Sequence, residues 1–359
     1  MLKVDPINPG KEVIDEAVEV LKEGGLVAFP TETVYGLGAD SLNKDAVKRI
    51  YDVKGRPPDN PLILHISDIS ELEVVARDVP SLVYELASKV WPGPVTFVLR
   101  KSDLVLPEVT AGLSTVAVRC PAHPVALTLI KGLGKPIAAP SANLSGRPSP
   151  TTADHVIKDL AGRIEMILDG GDTFFGVEST IINLTTDPPV LLRPGPVGVE
   201  DLEKLANLRI LVPAFAKGLE EAGIALSPGT KYRHYSPQTT LILIEAGQCL
   251  TQATYLEYVK SLINEYLKKN FKVAVMCSRE TCSEYENAIS LEIGSRNNLY
   301  EVAKNLFKKL REIDELRVDV AVSESFEERG VGLAIMNRLR KASSKIISCV
   351  PHAKDRKLL

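Results

Sequence analysis

What this chain lacks narrows its chemistry before any motif is read. No stretch approaches the roughly 18 apolar residues that a membrane span needs. The N-terminal run MLKVDPINPGKEVIDEAVEVLKEGG has no apolar block of signal-peptide length. The expectation is a cytoplasmic protein with no membrane association. Five cysteines occur without a CxxC pair or any metal-ligand spacing, so reduced thiols are expected rather than disulfides or zinc, and no structural metal. There is no GxxxxGK[ST] loop and no GxSxG elbow. Any ATP must therefore be bound outside the P-loop scheme, and covalent catalysis by an activated serine or cysteine has no support. A net charge of −3 argues against a protein that coats nucleic acid through bulk charge; a polyanion site has to be a local concentration of cations. Internal repeats, low-complexity tracts and heptads are also missing.

What is present is an average apolar fraction on 359 residues, enough for two or three domains with a core in each. An amphipathic helix carrying Val13, Ala17, Val18 and Leu21 stops at Gly24 and Gly25, and LVAFP begins a buried strand followed by a loop, TETVYGLG. Further apolar strands are read at 61–66, 94–100, 114–120, 135–140, 165–170, 179–184 and 189–195, with helices at 43–53, 70–90, 123–132 and 152–161. Strands that alternate with helices and then run consecutively predict an α/β domain on a mixed twisted sheet, spanning 1–205. Residues 206–240 break the pattern. Their segment LSPGTKYRHYSPQ carries tyrosines and basic side chains suited to anchoring an extended linker against a surface. From 241 to 359, strands at 241–245, 271–278 and 318–325 alternate with helices at 251–268, 298–312 and 332–343, predicting a smaller parallel-sheet domain. Its RGVGLAIMNRLRKAS has GVG rather than GxGxxG and follows the acidic SESFEE, which would repel phosphate. Arg338, Arg340 and Lys341 are therefore expected on a solvated helix face.

The chemistry-bearing residues lie in the first domain. KGRPPDNP (54–61) places Lys54 and Arg56 beside Pro57, Pro58 and Pro61, which fix local φ and restrict the residues before them. Preorganised charge of this kind suits phosphate or carboxylate, although a charged surface turn would use the same residues. Four other polar loops follow strands or occupy Pro/Gly turns: PTETVYGLG, VRCPAHP, APSANLSGRPSPTT, and GVEST with LLRPG. In open α/β sheets ligands sit where such loops meet, so a shared cleft is expected. In STVAVRC, alternation turns Val116 and Val118 to the core and Arg119 to a cleft or to solvent, where its planar fork suits a carboxylate or phosphate. Ser141 and Asn143 can offer hydroxyl and amide groups to phosphate or adenine, or cap their own turn. Cations (Lys54, Arg56, Arg119, Arg147, Arg193) and hydroxyls (Thr31, Thr33, Thr115, Ser141, Ser149, Ser179) together fit phosphoryl or nucleotidyl transfer driven by positioning and charge stabilisation.

Taken together, PTETVYGLG, KGRPPDNPL, APSANLSGRPS, GVESTI, LLRPG and SPGTKYRHYSP resemble the motifs of the Sua5/YrdC family, in the same order. The resemblance implies a YrdC-like α/β domain with a large basic cavity, a linker acting as a lid over it, and a Rossmann-like Sua5-type C-terminal domain. It implies a nucleotidyltransferase that joins L-threonine, bicarbonate and ATP, with Mg2+ accompanying the ATP, into L-threonylcarbamoyladenylate and pyrophosphate. The product then feeds modification of adenosine 37 in tRNA by downstream threonylcarbamoyl-transfer proteins, with transient tRNA contact. By motif position the resemblance places L-threonine against Thr33, His65, Arg119, Ala139 and Ser179. It places the nucleotide against Lys54, Arg56, Asn60, Thr115, Ser141, Asn143, Ser149, Arg193, Tyr232, Arg233 and Tyr235, with Lys54 and Arg56 catalytic. Two alternatives remain open here. One is an RNA-binding module gripping tRNA or double-stranded RNA, against which the near-neutral charge and the absence of aromatic-basic interleaving count. The other is an adenylating enzyme for a different acid.

Overall fold

The computed structural model describes residues 1–229, 231 and 234–350. Among them ten strands form one mixed sheet: β1 (Leu2–Lys3), β2 (Val27–Phe29), β3 (Gly36–Asp40), β4 (Ile63–His65), β5 (Val95–Arg100), β6 (Thr115–Arg119), β7 (Ile137–Ala139), β8 (Met166–Asp169), β9 (Thr180–Asn183) and β10 (Val190–Arg193). Their order is β1-β8-β2-β3-β7-β4-β6-β5-β9-β10. Helices α1 (Lys11–Lys22), α2 (Lys44–Lys54), α3 (Leu72–Val75), α4 (Ser81–Val90), α5 (Pro107–Thr110), α6 (Pro124–Leu133) and α7 (Ala153–Leu160) lie along the same stretch of chain, followed by α8 (Val199–Ala206) and α9 (Ala214–Lys217).

The period of two sorts this sheet's side chains. Leu64, Phe97, Leu99, Val116, Val118, Ala138 and Ile182 point into the main apolar core. Their neighbours Ile63, His65, Thr96, Arg119 and Ala139 therefore point to the opposite face, where the apolar cover is split between a small patch of Ile63, Val98, Ala117, Ile181 and Leu192 and a cluster around Val27, Phe29, Ile137 and Ala139. The reading of Arg119 against Val116 and Val118 holds, and the polar residues share one side of the sheet.

Two local expectations for this domain are corrected. TETVYGLG is not all loop: β3 pairs antiparallel with β2. Its glycines hid it, being weak strand formers, yet they are needed, because a Cβ on Gly38 would come within 2.8 Å of both the Phe29 ring and Ile137. The single helix read at 70–90 is broken into α3 and α4, with Asp78 at φ 51° and Pro80 starting the second piece. A proline disfavours helical backbone at the residue before it, so the break was readable.

The second sheet is wholly parallel, in the order β13-β12-β14-β11-β15, from β11 (Thr240–Glu245), β12 (Val273–Ser278), β13 (Ile289–Gly294), β14 (Val320–Ser323) and β15 (Lys345–Ser348). Helices α10 (Gln252–Lys268), α11 (Leu299–Glu315) and α12 (Val331–Ala342) complete it. The edge strands β13 and β15 were not foreseen; both are partly exposed, which dilutes the hydrophobic run that reveals a buried strand. The two sheets share packing: Val34 and Val177 enter the apolar cluster of Phe307, Leu310 and Leu339. At Gly176, φ is 71° and the backbone of Lys304 on α11 comes so close that a Cβ would meet it at 2.4 Å.

Two further expectations about the second domain fail. Cys249 is bonded to Cys349 and Cys277 to Cys282, leaving Cys120 as the free thiol. The partner of Cys249 lies 100 residues away, so no local spacing announced it. Arg338 is not solvated but fully buried, and Arg340 is buried as well. No described helix is long and apolar enough to cross a membrane.

Candidate active site

On the polar face of the first sheet lies a cavity lined by Thr31, Thr33, Lys54, Arg56, His65, Arg119, Ala139, Ser141, Asn143, Arg147, Ser149, Glu178, Ser179 and Arg193, and bordered on the linker side by Pro228, Gly229, His234 and Tyr235. The five loops expected to converge do converge. Each cation is held by its own element. Lys54 ends α2, where Gly55 takes the left-handed cap at φ 60°. Its ammonium donates to the Ser141 carbonyl at 2.6 Å and to that of Asn143. Arg56 donates through Nε to the Asn60 carbonyl at 2.9 Å and through Nη2 to Pro61 at 2.8 Å. The prolines of this loop thus fix acceptors that aim the guanidinium.

Arg119, at the end of β6 beside His65 on β4, donates to Thr33 Oγ1 at 2.9 Å and to the Gly93 carbonyl at 3.2 Å. Thr33 is in turn held to Thr31 at 2.9 Å. Glu32 Oε1 lies 2.6 Å from Arg119 Nη2, yet neither atom, nor Glu32 Oε2, makes an aligned hydrogen bond. The charges attract while the fork keeps a donor in reserve. Across the cavity Arg193 donates to the Ser179 carbonyl and hydroxyl, both at 3.1 Å, and Ser179 also pairs with Thr96 at 2.7 Å.

The electrostatics point to an anionic ligand. Among the lining residues five cations face one carboxylate, Glu178. Burial, then the neighbouring charge of Arg56, drives Lys54 well below its ordinary pKa. Arg56 and Arg193 are both pulled down to about 10, burial being the first cause. Burial and Arg119 hold the His65 imidazole at about 3, so it is neutral, with Nδ1 unpartnered. Buried polar atoms without partners are rare in finished cores and imply a group yet to arrive. Lys54, Arg56, Arg119 and Arg193 are buried too deeply to reach the backbone of a duplex, so the cavity gives no support to the RNA-gripping alternative.

Not every expected residue reaches the cavity. Thr115 starts β6, four residues before Arg119, or roughly 13 Å away at the usual strand rise; it pairs with Arg100 and does not line the cavity. Asn60 is buried just outside, its carbonyl engaged by Arg56 and its side-chain amide unpartnered. Ser141 and Asn143 line the cavity while also tying their own turn, Asn143 Nδ2 donating to the Leu144 and Arg147 carbonyls. Tyr232 and Arg233 lie outside the described residues; Tyr235 is at the cavity. Sequence reasoning missed Glu32, Glu178 and His234. Glu32 and Glu178 stood inside quoted motifs, but an acidic residue in a cationic site is only legible once its arginine partner is seen.

The comparisons bear on this geometry. Residues 19–195 match the sequence family described as "Telomere recombination", the Sua5/YciO/YrdC group, and residues 197–344 match "Threonylcarbamoyl-AMP synthase, C-terminal domain". The chain is 49% identical to the threonylcarbamoyl-AMP synthase of Pyrococcus abyssi, over 91% of this chain and 93% of that protein. It is 47% identical to that of Bacillus subtilis, over 94% and 95%. The crystal structure of P. abyssi Sua5 complexed with L-threonine superposes with a TM-score of 0.89 at 47% identity, covering 97% of this chain and 99% of the other. Over both domains, then, the chain belongs to the Sua5-type threonylcarbamoyl-AMP synthase family.

Proposed function

We propose that this chain is a nucleotidyltransferase that makes L-threonylcarbamoyladenylate and pyrophosphate from L-threonine, bicarbonate and ATP, and that the adenylate serves threonylcarbamoylation of adenosine 37 in tRNA. The amine of threonine adds to CO2 from bicarbonate to give an N-carboxylate. That carboxylate attacks the α-phosphorus, and pyrophosphate leaves. Both partners are anions, so their repulsion and the charge developing on phosphate form the main barrier. Fixed cations lower it without reorganising.

In this reading Arg119 grips the threonine carboxylate. Thr33, Ser179 and the neutral His65 supply groups for its hydroxyl and amine, with Ala139 as the wall. Lys54, Arg56, Ser141, Asn143, Ser149 and Arg193 hold the nucleotide, Lys54 and Arg56 nearest the transferring charge. The linker, with Tyr232, Arg233 and Tyr235, acts as a lid over the labile carbamate and mixed anhydride. Asn60 and Thr115 would join the nucleotide only after movement. Mg2+ enters as part of the ATP substrate: Glu178 is engaged by Arg338 and Glu32 lies against Arg119, so phosphate oxygens are the better ligands. The working compartment is the cytoplasm, and the product passes to tRNA-modifying partner proteins, with at most transient tRNA contact.

The observation that carries the proposal is the pocket that gathers five cations, among the described residues, around the unpartnered His65 Nδ1 and His234 Nε2. Incubation with ATP, Mg2+, bicarbonate and each amino acid in turn tests it. Pyrophosphate and the adenylate mass should appear with threonine. Equal pyrophosphate release with every amino acid, or with none, would overturn the assignment.

A further inference from the structure

Glu178, the one carboxylate among the described residues that line this cationic cavity, is neutralised from outside the first domain. Arg338 lies on α12 of the second domain and has no solvent exposure. Its Nε and Nη2 donate to Glu178 Oε2 at 3.1 and 3.0 Å, and its Nη1 donates to the Pro194 carbonyl. Glu178 Oε1 accepts from the Ser149 hydroxyl at 2.7 Å. One guanidinium thus holds two segments of the cavity wall: the 178–179 loop, through its carboxylate, and Pro194, directly after Arg193. The neighbouring contacts of α12 fix its placement, since Asn337 Nδ2 donates to the Ala216 carbonyl at 2.9 Å and Arg340 Nη1 to Lys217 at 2.8 Å.

The charge arithmetic gives this contact a function beyond packing. Glu178 sits among Arg193, Tyr235 and Arg338, and a carboxylate there would otherwise compete with a bound polyphosphate for Arg193. With Arg338 satisfying Oε2, Arg193 keeps its donors on Ser179 at 3.1 Å. We infer that Arg338 is a positioning residue of the nucleotide site, through which the second domain sets the charge and geometry of the first domain's cavity. Of the threonine end, Thr33, His65 and Arg119 lie outside the contacts of Arg338, and only Ser179 borders the loop that it holds through Glu178. Loss of Arg338 should therefore weaken ATP far more than threonine.

The test rests on the proposed synthase reaction, and its controls separate the two. Wild-type enzyme that shows no threonine-dependent pyrophosphate release refutes the reaction itself. With wild type active, Arg338→Gln should raise the KM for ATP at least tenfold while the KM for threonine rises no more than about threefold, through Ser179 alone. The double variant R338Q/E178Q removes both charges and should return the ATP KM to within threefold of wild type. The double variant is neutral across the contact, so it keeps the inference exposed even where R338Q alone folds poorly. An ATP KM unchanged in R338Q, an equal rise for both substrates, or a double variant still tenfold impaired would each overturn the inference.

Discussion

Both domains bury arginine against carboxylate at the polar edge of a sheet, but they finish the job differently. In the second domain Glu324 is fully buried and accepts from Tyr285 at 2.5 Å, from the Ser278 amide at 3.1 Å and from Arg296 at 2.7 Å. Arg296 spends its other donors on Ser278 and the Ser325 carbonyl and lies 4.9 Å over the Phe326 ring. None of these atoms is left without a partner. In the first domain Arg119 Nη2 lies 2.6 Å from Glu32 without an aligned hydrogen bond, and His65 Nδ1 and, from the linker, His234 Nε2 are buried without a partner. The same residue chemistry makes a closed structural network in one place and an open receptor in the other. A site is recognised by what its donors have not yet bonded to.

The comparison can be broken most sharply by exchanging outcomes. Arg56→Ala should cut threonine-dependent pyrophosphate release at least ~100-fold, since each charge-assisted hydrogen bond is worth roughly 1.5–3 kcal/mol, while the melting temperature barely moves. A stable variant with near-normal turnover would remove Arg56 from the site. Glu324→Ala should do the reverse. Stranding the part-buried Arg296 and the buried Tyr285 and Ser278 donors costs about 3–5 kcal/mol of stability in urea unfolding, with kcat near wild type wherever the chain is folded. Lost turnover in folded Glu324→Ala would show that the second network is itself functional.

Reduction of the disulfides should have a smaller effect, confined to the second domain. Cross-linking Cys249 to Cys349 closes a long loop, for which chain entropy alone predicts about 4–5 kcal/mol, usually realised in part. Melting with and without dithiothreitol should separate by several degrees. Coincident curves would mean that the bond does not form in solution.

The smallest effect sharpens the contrast through pH. His65 is held near 3 by burial and Arg119, below the value of about 6.5 for an unfolded histidine. It must gain a proton to unfold in acid, so its contribution is whole above pH 6.5 and is lost as pH falls toward 3. Burial pushes Glu178 up, but Arg338, Arg193 and the Ser149 hydrogen bond outweigh it and bring the carboxyl to about 2. Its contribution is whole above pH 4.5 and is lost below. Each group adds about 1.4 kcal/mol per pH unit within its window. Melting across pH 7 to 4 should show stability falling from 6.5 downward, and His65→Gln should flatten the first part of that fall. A slope beginning only below pH 4.5 in wild type would contradict the neutral histidine.

Much of this was legible in the chain, and the exceptions have physical reasons. Alternation in STVAVRC placed Arg119 on the correct face before any coordinates. Strand-end loops rich in Pro, Gly and hydroxyls marked the rim of the cavity. What stayed hidden depends on long-range partners. Arg338 looked solvated because a basic residue on a helix usually is, and only distant partners, Glu178 (160 residues earlier) and the Pro194 carbonyl, make its burial tolerable. β3 was masked by glycines chosen for the Phe29 ring, and β13 and β15 by their edge exposure. Thr115 lies at the start of its strand, outside the cavity lining, a placement that motif order alone does not reveal.

The central claim is that one cationic chamber brings a carbamate and a nucleotide together. Incubation with ATP, threonine and 13C-labelled bicarbonate, followed by mass spectrometry, tests it most directly. The account predicts one labelled carbon in the threonyl adenylate, and no adenylate when bicarbonate is withheld. An unlabelled threonine adenylate formed at the same rate would contradict it.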